Sequence, residues 1–166
     1  MENGGLKDKK DNHLIVVTST IIFDYLFIFY CTCYFLTYTE KLRNVILSNA
    51  LTSIEASTFA NCESLESITI PENVTSIDKD AFYGCENLTS IVIPSSVNSI
   101  ASYVFFKCYK LKEVYYLGTP TQWNNNSFEN CFSILPSAKI YFYSKIKPTD
   151  ASYHYWHYVN GNPTIW

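Results

Sequence analysis

The sequence lacks every common catalytic fingerprint. No G-x-S-x-G, H-E-x-x-H, Walker loop or dinucleotide-binding glycine pattern occurs in its 166 residues, and each of those chemistries needs its residue types at fixed spacing. It also lacks a Lys/Arg patch: 12 basic against 15 acidic residues leave a net charge of −3, without the electrostatic footprint of a nucleic-acid binder. There is no long acidic tail and no C-x-x-C. Cys31-Thr-Cys33 is C-x-C, outside redox or zinc spacing. Asp78 and Asp80 form a carboxylate pair with no histidine or apolar pocket nearby in sequence to tune them. The chain therefore reads as non-enzymatic, with no metal and no cofactor.

Charge is also scarce near the N-terminus. Residues 1–13 are a polar tail, and from Leu14 to Tyr38 the only charge is Asp24. About 20 apolar residues can cross a bilayer as a helix, and Lys7, Lys9 and Lys10 fit the cytoplasmic flank of such a span. Against this, Asp24 sits mid-span, where a carboxylate costs about 2.5–3.5 kcal/mol, and no small-residue cleavage site follows. Two readings of residues 14–41 stand: a membrane or export segment, with the membrane reached through residues 14–38 only, or a decayed repeat. On the second reading a 23-residue step carries Val45, Leu51 and Ile54 back to Ile22, Ile28 and Cys31.

The rest of the chain is dominated by periodicity. Cys62, Cys85, Cys108 and Cys131 recur every 23 residues, each preceded three positions earlier by Phe59, Phe82, Phe105 or Phe128. Leu65, Leu88 and Leu111 lie three positions after a cysteine. A fixed short period marks a solenoid, whose units bury their apolar faces only against their neighbours. Within one unit, Ile68 and Ile70 alternate with Ser67 and Thr69, the pattern of a half-buried strand. Pro71 and Pro94 end the strand. Val74 and Ile77 turn back into the core, and Asp80-Ala81-Phe82 begins a short helical turn. The fold class follows: an α/β-type solenoid, mostly β, with a parallel sheet of short strands and buried columns of Phe and Cys.

The pattern L-x-x-I-x-I-P-x-x-V-x-x-I-x-x-x-A-F-x-x-C resembles the BspA-like leucine-rich repeats of bacterial surface proteins and some parasitic protists. The resemblance covers about Leu42 to Tyr116, and departs from it at Leu47-Ser48-Asn49, which lacks the proline, and at Val104 in place of alanine. It implies a right-handed coil over residues 42–117. Residues 118–166 read as an atypical last repeat and a cap that covers the open edge. There Trp123 takes the Ile77 column, Phe128 and Cys131 stay in register, and Lys139–Tyr143 arrives 26 residues after its equivalent rather than 23. The tail from Tyr153 to Trp166 reads as an aromatic β-hairpin around Asn160-Gly161, similar to the ending of gut-bacterial members. The C-terminal end is expected to be complete. Without a matching N-terminal cap, the chain is expected to be the tail of something longer.

The cysteine ladder is expected to be small buried thiols rather than bridges or ligands. His154 and His157, three apart on a strand, should point to opposite sides and pack into the cap. The sequons at Asn73, Asn87 and Asn125 arise by chance in Thr/Asn-rich repeats. Outward strand positions remain as the candidate binding surface: Asn44 and Ile46, Ser67 and Thr69, Ser90 and Val92, Glu113 and Tyr115, with Tyr115, Val92 and Ile46 supplying apolar grip. The resemblance implies a non-catalytic interaction module, secreted or at the cell surface, that binds a protein or glycan on another surface; an intracellular location stays open. Carbohydrate binding through Tyr155, Trp156, Tyr158 and Trp166 is the alternative. A structural spacer within a longer repeat protein is a third reading.

Overall fold

The computed structural model describes residues 14–17, 43–128 and 138–166. Alternating Ser/Thr and Ile/Val place one short strand in each coil. These are β2 (Asn44–Leu47), β4 (Ser67–Thr69), β6 (Ser90–Ile93), β8 (Glu113–Tyr116) and β10 (Lys139–Tyr143). A second, two-residue strand follows in each coil: β3 (Ser53–Ile54), β5 (Ser76–Ile77), β7 (Ser99–Ile100) and β9 (Ser127–Phe128). The chain ends in β11 (His154–Val159) and β12 (Asn162–Ile165). The larger sheet has the order β4-β6-β8-β10-β11-β12, a second has β3-β5-β7-β9, and β2 lies in a separate two-stranded sheet. Every pairing is parallel except β11 with β12. This is the mostly β solenoid expected from the periodicity.

The register confirms the 23-residue columns. Ile68 lies opposite Ile91, which lies opposite Val114, and the next partner is Ile140, across the longer step. Phe59, Phe82 and Phe105 stack in one row, with ring centroids 5.2 and 5.6 Å apart and planes within 9°. Leu65, Val74, Ile77 and Cys85, with their equivalents, complete one continuous buried spine. Burying each such aliphatic or aromatic side chain contributes about 1.5–3 kcal/mol, so the columns dominate stability.

The third side of each coil is not a helix. It is a chain of tight turns in which an N–H bonds three residues back, as from Tyr83 to Asp80 and Cys85 to Phe82, while Phe82 N–H reaches across to Val104 O at 3.0 Å. Two backbone columns enter the left-handed region: Ser57, Asp80 and Tyr103 (φ 59°, 58°, 61°), then Asn61, Gly84 and Lys107 (φ 60°, 70°, 64°). A left-handed residue on each side of the turn breaks any helical run. The one helix among the described residues is α1 (Pro120–Asn125), closed by a capping box between Thr119 and Gln122.

Two registers differ from the sequence expectation. Phe128 does not extend the Phe59 column; on β9 it lies opposite Ile100 and so continues the Ile54, Ile77, Ile100 row. The turn of α1 consumes extra residues, so Trp123 leaves that row and packs edge-on against Phe128 at 4.6 Å. At the other end, β1 (Leu14–Val17) pairs in parallel with β2, and Ile15 rather than Ile22 faces Val45. Residues 18–42 and Cys131 lie outside the described residues. Among the described residues no helix is long and apolar enough to cross a membrane.

Asn160 (φ 51°) and Gly161 (φ 80°) make the turn between β11 and β12, as the Asn-Gly pair requires. Trp166 N–H donates to Tyr155 O at 3.1 Å. By the alternation of an antiparallel ladder, Pro163 and Ile165 then turn their backbone nitrogens away from β11. One of these two outward positions is a proline with no N–H to offer.

Candidate functional site

Two rows of side chains cover the outer face of the larger sheet. One runs Ser67, Ser90, Glu113, Lys139; the other runs Thr69, Val92, Tyr115, Tyr141, His154. The expected site residues Ser67, Thr69, Ser90, Val92, Glu113 and Tyr115 thus do share one face. They are not equally accessible. Ser67 and Thr69 are exposed and Ser90 and Glu113 half-buried, whereas Val92 and Tyr115 are each only 5% exposed. Ile46, one coil before Thr69, is 54% exposed.

The cause is a second small core on the outer face. Val92, Tyr115, Tyr141 and Trp156 pack together, flanked by Leu117 and Tyr143. Trp156 on β11 is fully buried, its ring 5.1 Å from Tyr115 and 5.3 Å from Tyr143. Its indole N–H donates to Tyr116 O at 3.1 Å. Tyr115 Oη donates to Glu113 Oε2 at 2.7 Å, and burial followed by the adjacent carboxylate pushes that phenol well above its ordinary range. The apolar grip expected of Val92 and Tyr115 is therefore spent inside the protein. The open half of the face is the N-terminal half, around Ile46, Ser67 and Thr69.

The same packing takes Trp156 and much of Tyr155 out of the aromatic platform expected of the tail. Trp156 is buried and Tyr155 is half-buried against the main core. Trp166 has one face on His157, with centroids 3.7 Å apart, and its indole N–H donates to Ser144 O at 3.0 Å. His154 instead leans on Tyr141 at 5.6 Å, so the two histidines serve opposite sides of the strand. Tyr158 and Trp166 remain exposed among these rings, at 41% and 37%.

Cys62, Cys85 and Cys108 are buried thiols. Cys85 and Cys108 donate to Phe59 O and Phe82 O of the preceding coil, each at 3.0 Å. The neighbouring Cys108 thiol and burial push the Cys85 thiol far up, which keeps it protonated. Asn73 and Asn87 likewise commit their amide nitrogens to the coil before, to Asn49 O at 2.6 Å and Glu63 O at 2.7 Å.

A groove of about 400 Å³ opens where Tyr158 approaches the turn after β4, lined by Asn49, Thr69, Pro71, Glu72, Leu117 and Tyr158. Of these only Thr69 and Tyr158 were expected as binding residues from the sequence. Glu72 had a faint signal as the variable residue after the strand-ending Pro71, where the next coil has Ser95 after Pro94.

The stacked columns, the parallel sheet and the variable outer face define a leucine-rich repeat solenoid, a repeat protein of the interaction class. The chain belongs to the BspA type leucine rich repeat family, whose region of six copies matches residues 31–155. Such repeat regions are typically non-catalytic. Among solved structures it is similar to a leucine rich cell surface protein from Faecalibacterium prausnitzii A2-165, with 45% identity and a TM-score of 0.52 over 52% of this chain and 23% of that one. It is also similar to a leucine-rich repeat protein from Bacteroides ovatus ATCC 8483, with 30% identity and a TM-score of 0.49 over 65% of this chain and 26% of the other. The chain spans about a quarter of the length of these two proteins. No curated protein matches it.

Proposed function

We propose that the chain is a non-catalytic adhesion module, displayed outside the cell, that recognises a protein through the open half of its outer sheet face. The observation that carries this reading is the contrast between core and face. Ile68, Ile91 and Val114 keep one buried apolar column, while the outward positions left accessible, Ile46, Ser67 and Thr69, differ in character. A solenoid holds such unlike side chains in fixed register at strand spacing, which suits recognition. Exposed Ile46 beside exposed Thr69 leaves an apolar contact available. The similarity to a cell surface protein supports display outside.

Two measurements test it. Protease added to intact producing cells should remove the repeats, as read with an antibody to them; full protection argues for an internal scaffold. Fluorescently labelled chain should bind target cells, and Ile46→Lys with Thr69→Lys should abolish that binding without lowering the melting temperature. Unchanged binding would move the contact off this face. A chain that binds no surface at all would favour the spacer reading, which the quarter-length match also suits.

A further inference from the structure

The groove beside Tyr158 has a chemistry distinct from the rest of the face. Its walls come from four separated stretches: Asn49 after β2, Thr69 to Asn73 after β4, Leu117 after β8, and Tyr158 on β11. Glu72 is the one charged residue in that lining, it is exposed, and it has no ion-pair partner among the described residues. Of the other charges near the face, Arg43 pairs with Glu66 at 3.7 Å, and Glu113 accepts from Tyr115. Glu72 and Tyr158 line the same groove, and burial, then Tyr143, then the Glu72 carboxylate raise the Tyr158 phenol. Tyr158 is held by Trp156, edge-on at 4.9 Å, and so presents its ring from a fixed support.

We propose that this groove is a binding site for an arginine side chain presented by a partner protein. The inference rests on the interaction reading above and names the chemistry of its partner. Half-buried Leu117 offers apolar wall for the aliphatic stem. The planar guanidinium lies against the Tyr158 ring and forks onto Glu72, the pairing that a flat, multiply donating cation makes best. The Asn73 amide nitrogen is already committed to Asn49 O and does not compete for the Glu72 carboxylate. A neutral sugar would leave the Glu72 charge unmatched, and an anion would meet that lone carboxylate.

The test uses the intact chain and the capped tripeptide N-acetyl-Gly-Arg-Gly-amide, with its citrulline counterpart as the neutral isostere, titrated by NMR. Saturable shifts should centre on the amides of Asn49, Glu72, Leu117 and Tyr158. Glu72→Gln and Tyr158→Leu should each weaken the arginine peptide about tenfold, with unchanged melting temperature for Glu72→Gln. Glu63→Gln, on another side of the coil, should bind as wild type. Equal affinity for the citrulline peptide, insensitivity to Glu72→Gln, or no saturable shift overturns the site. If the chain still binds cells after such a result, the adhesion reading survives and only this groove is lost.

Discussion

The indole N–H of Trp156 donates to the backbone carbonyl of Tyr116, 40 residues earlier in the chain, at 3.1 Å. A C-terminal hairpin is thereby fastened to the outer face of the third and fourth coils, over Val92 and Tyr115. Trp156→Phe should keep most of the packing but leave that carbonyl without its donor, at a cost of about 1–3 kcal/mol. Trp156→Ala should cost about 3–5 kcal/mol. Urea unfolding measures both, and equal stability of all three chains would show that the fastening is dispensable.

Val92 and Tyr115 should behave as core residues and Ile46 and Thr69 as surface residues, although all four stand at outward strand positions. Tyr115→Ala with Val92→Ser should lower the unfolding free energy by several kcal/mol, about 3–5 from the aromatic alone. Ile46→Lys with Thr69→Lys should stay within about 1 kcal/mol of wild type. Similar losses for the two pairs would mean that the second core does not hold in solution.

The two left-handed glycines separate conformational cost from steric cost. Gly161 has open space where a side chain would sit, so Gly161→Ala bears only the backbone term, about 1 kcal/mol. Gly84 occupies a column where Asn61 and Lys107 carry side chains at similar φ. A Cβ at Gly84 would run into Asn61 Oδ1. Gly84→Ala should therefore cost more than Gly161→Ala, and Asn61→Ala should relieve the excess. Thermal melting of the two single variants and the double variant decides it.

Alkaline conditions should weaken the fold. Cys85, ordinarily ionising near 9.0, is held far higher by the Cys108 thiol and by burial; Tyr115, ordinarily near 10.0, is raised by burial and Glu113. Above about pH 9 the unfolded chain releases protons that the folded chain retains, so stability is fully present below that pH and falls as pH rises. Each retained proton lowers stability by about 1.4 kcal/mol per pH unit. Urea midpoints from pH 7.5 to 10.5 should drop, and Cys85→Ala should remove the earlier part of the decline. A flat profile in wild type would contradict the burial of both groups.

Most of the spine was legible because a stacked column demands the same residue type in each coil: Phe59, Phe82 and Phe105 announce their row without any structure. The hairpin was legible from Asn160-Gly161. What escaped was either non-periodic or carried by the backbone. Trp156 covers Tyr115 through a contact that no repeat spacing encodes. The left-handed column Ser57, Asp80, Tyr103 has no shared residue type, since the constraint falls on φ and leaves the side chain free. Phe128 kept the 23-residue spacing yet changed rows, because α1 took up chain that the spacing could not count. For the groove, Tyr158 and Glu72 are 86 residues apart in sequence, and only the fold brings them to one cleft.

Pro163 on the last strand has a consequence for crowded conditions. A neighbouring molecule trying to zip its own backbone onto that flank would find one rung missing from the start. Concentrated solutions of the chain should accordingly resist fibril growth from this flank, and restoring the rung with Pro163→Val should make it sticky.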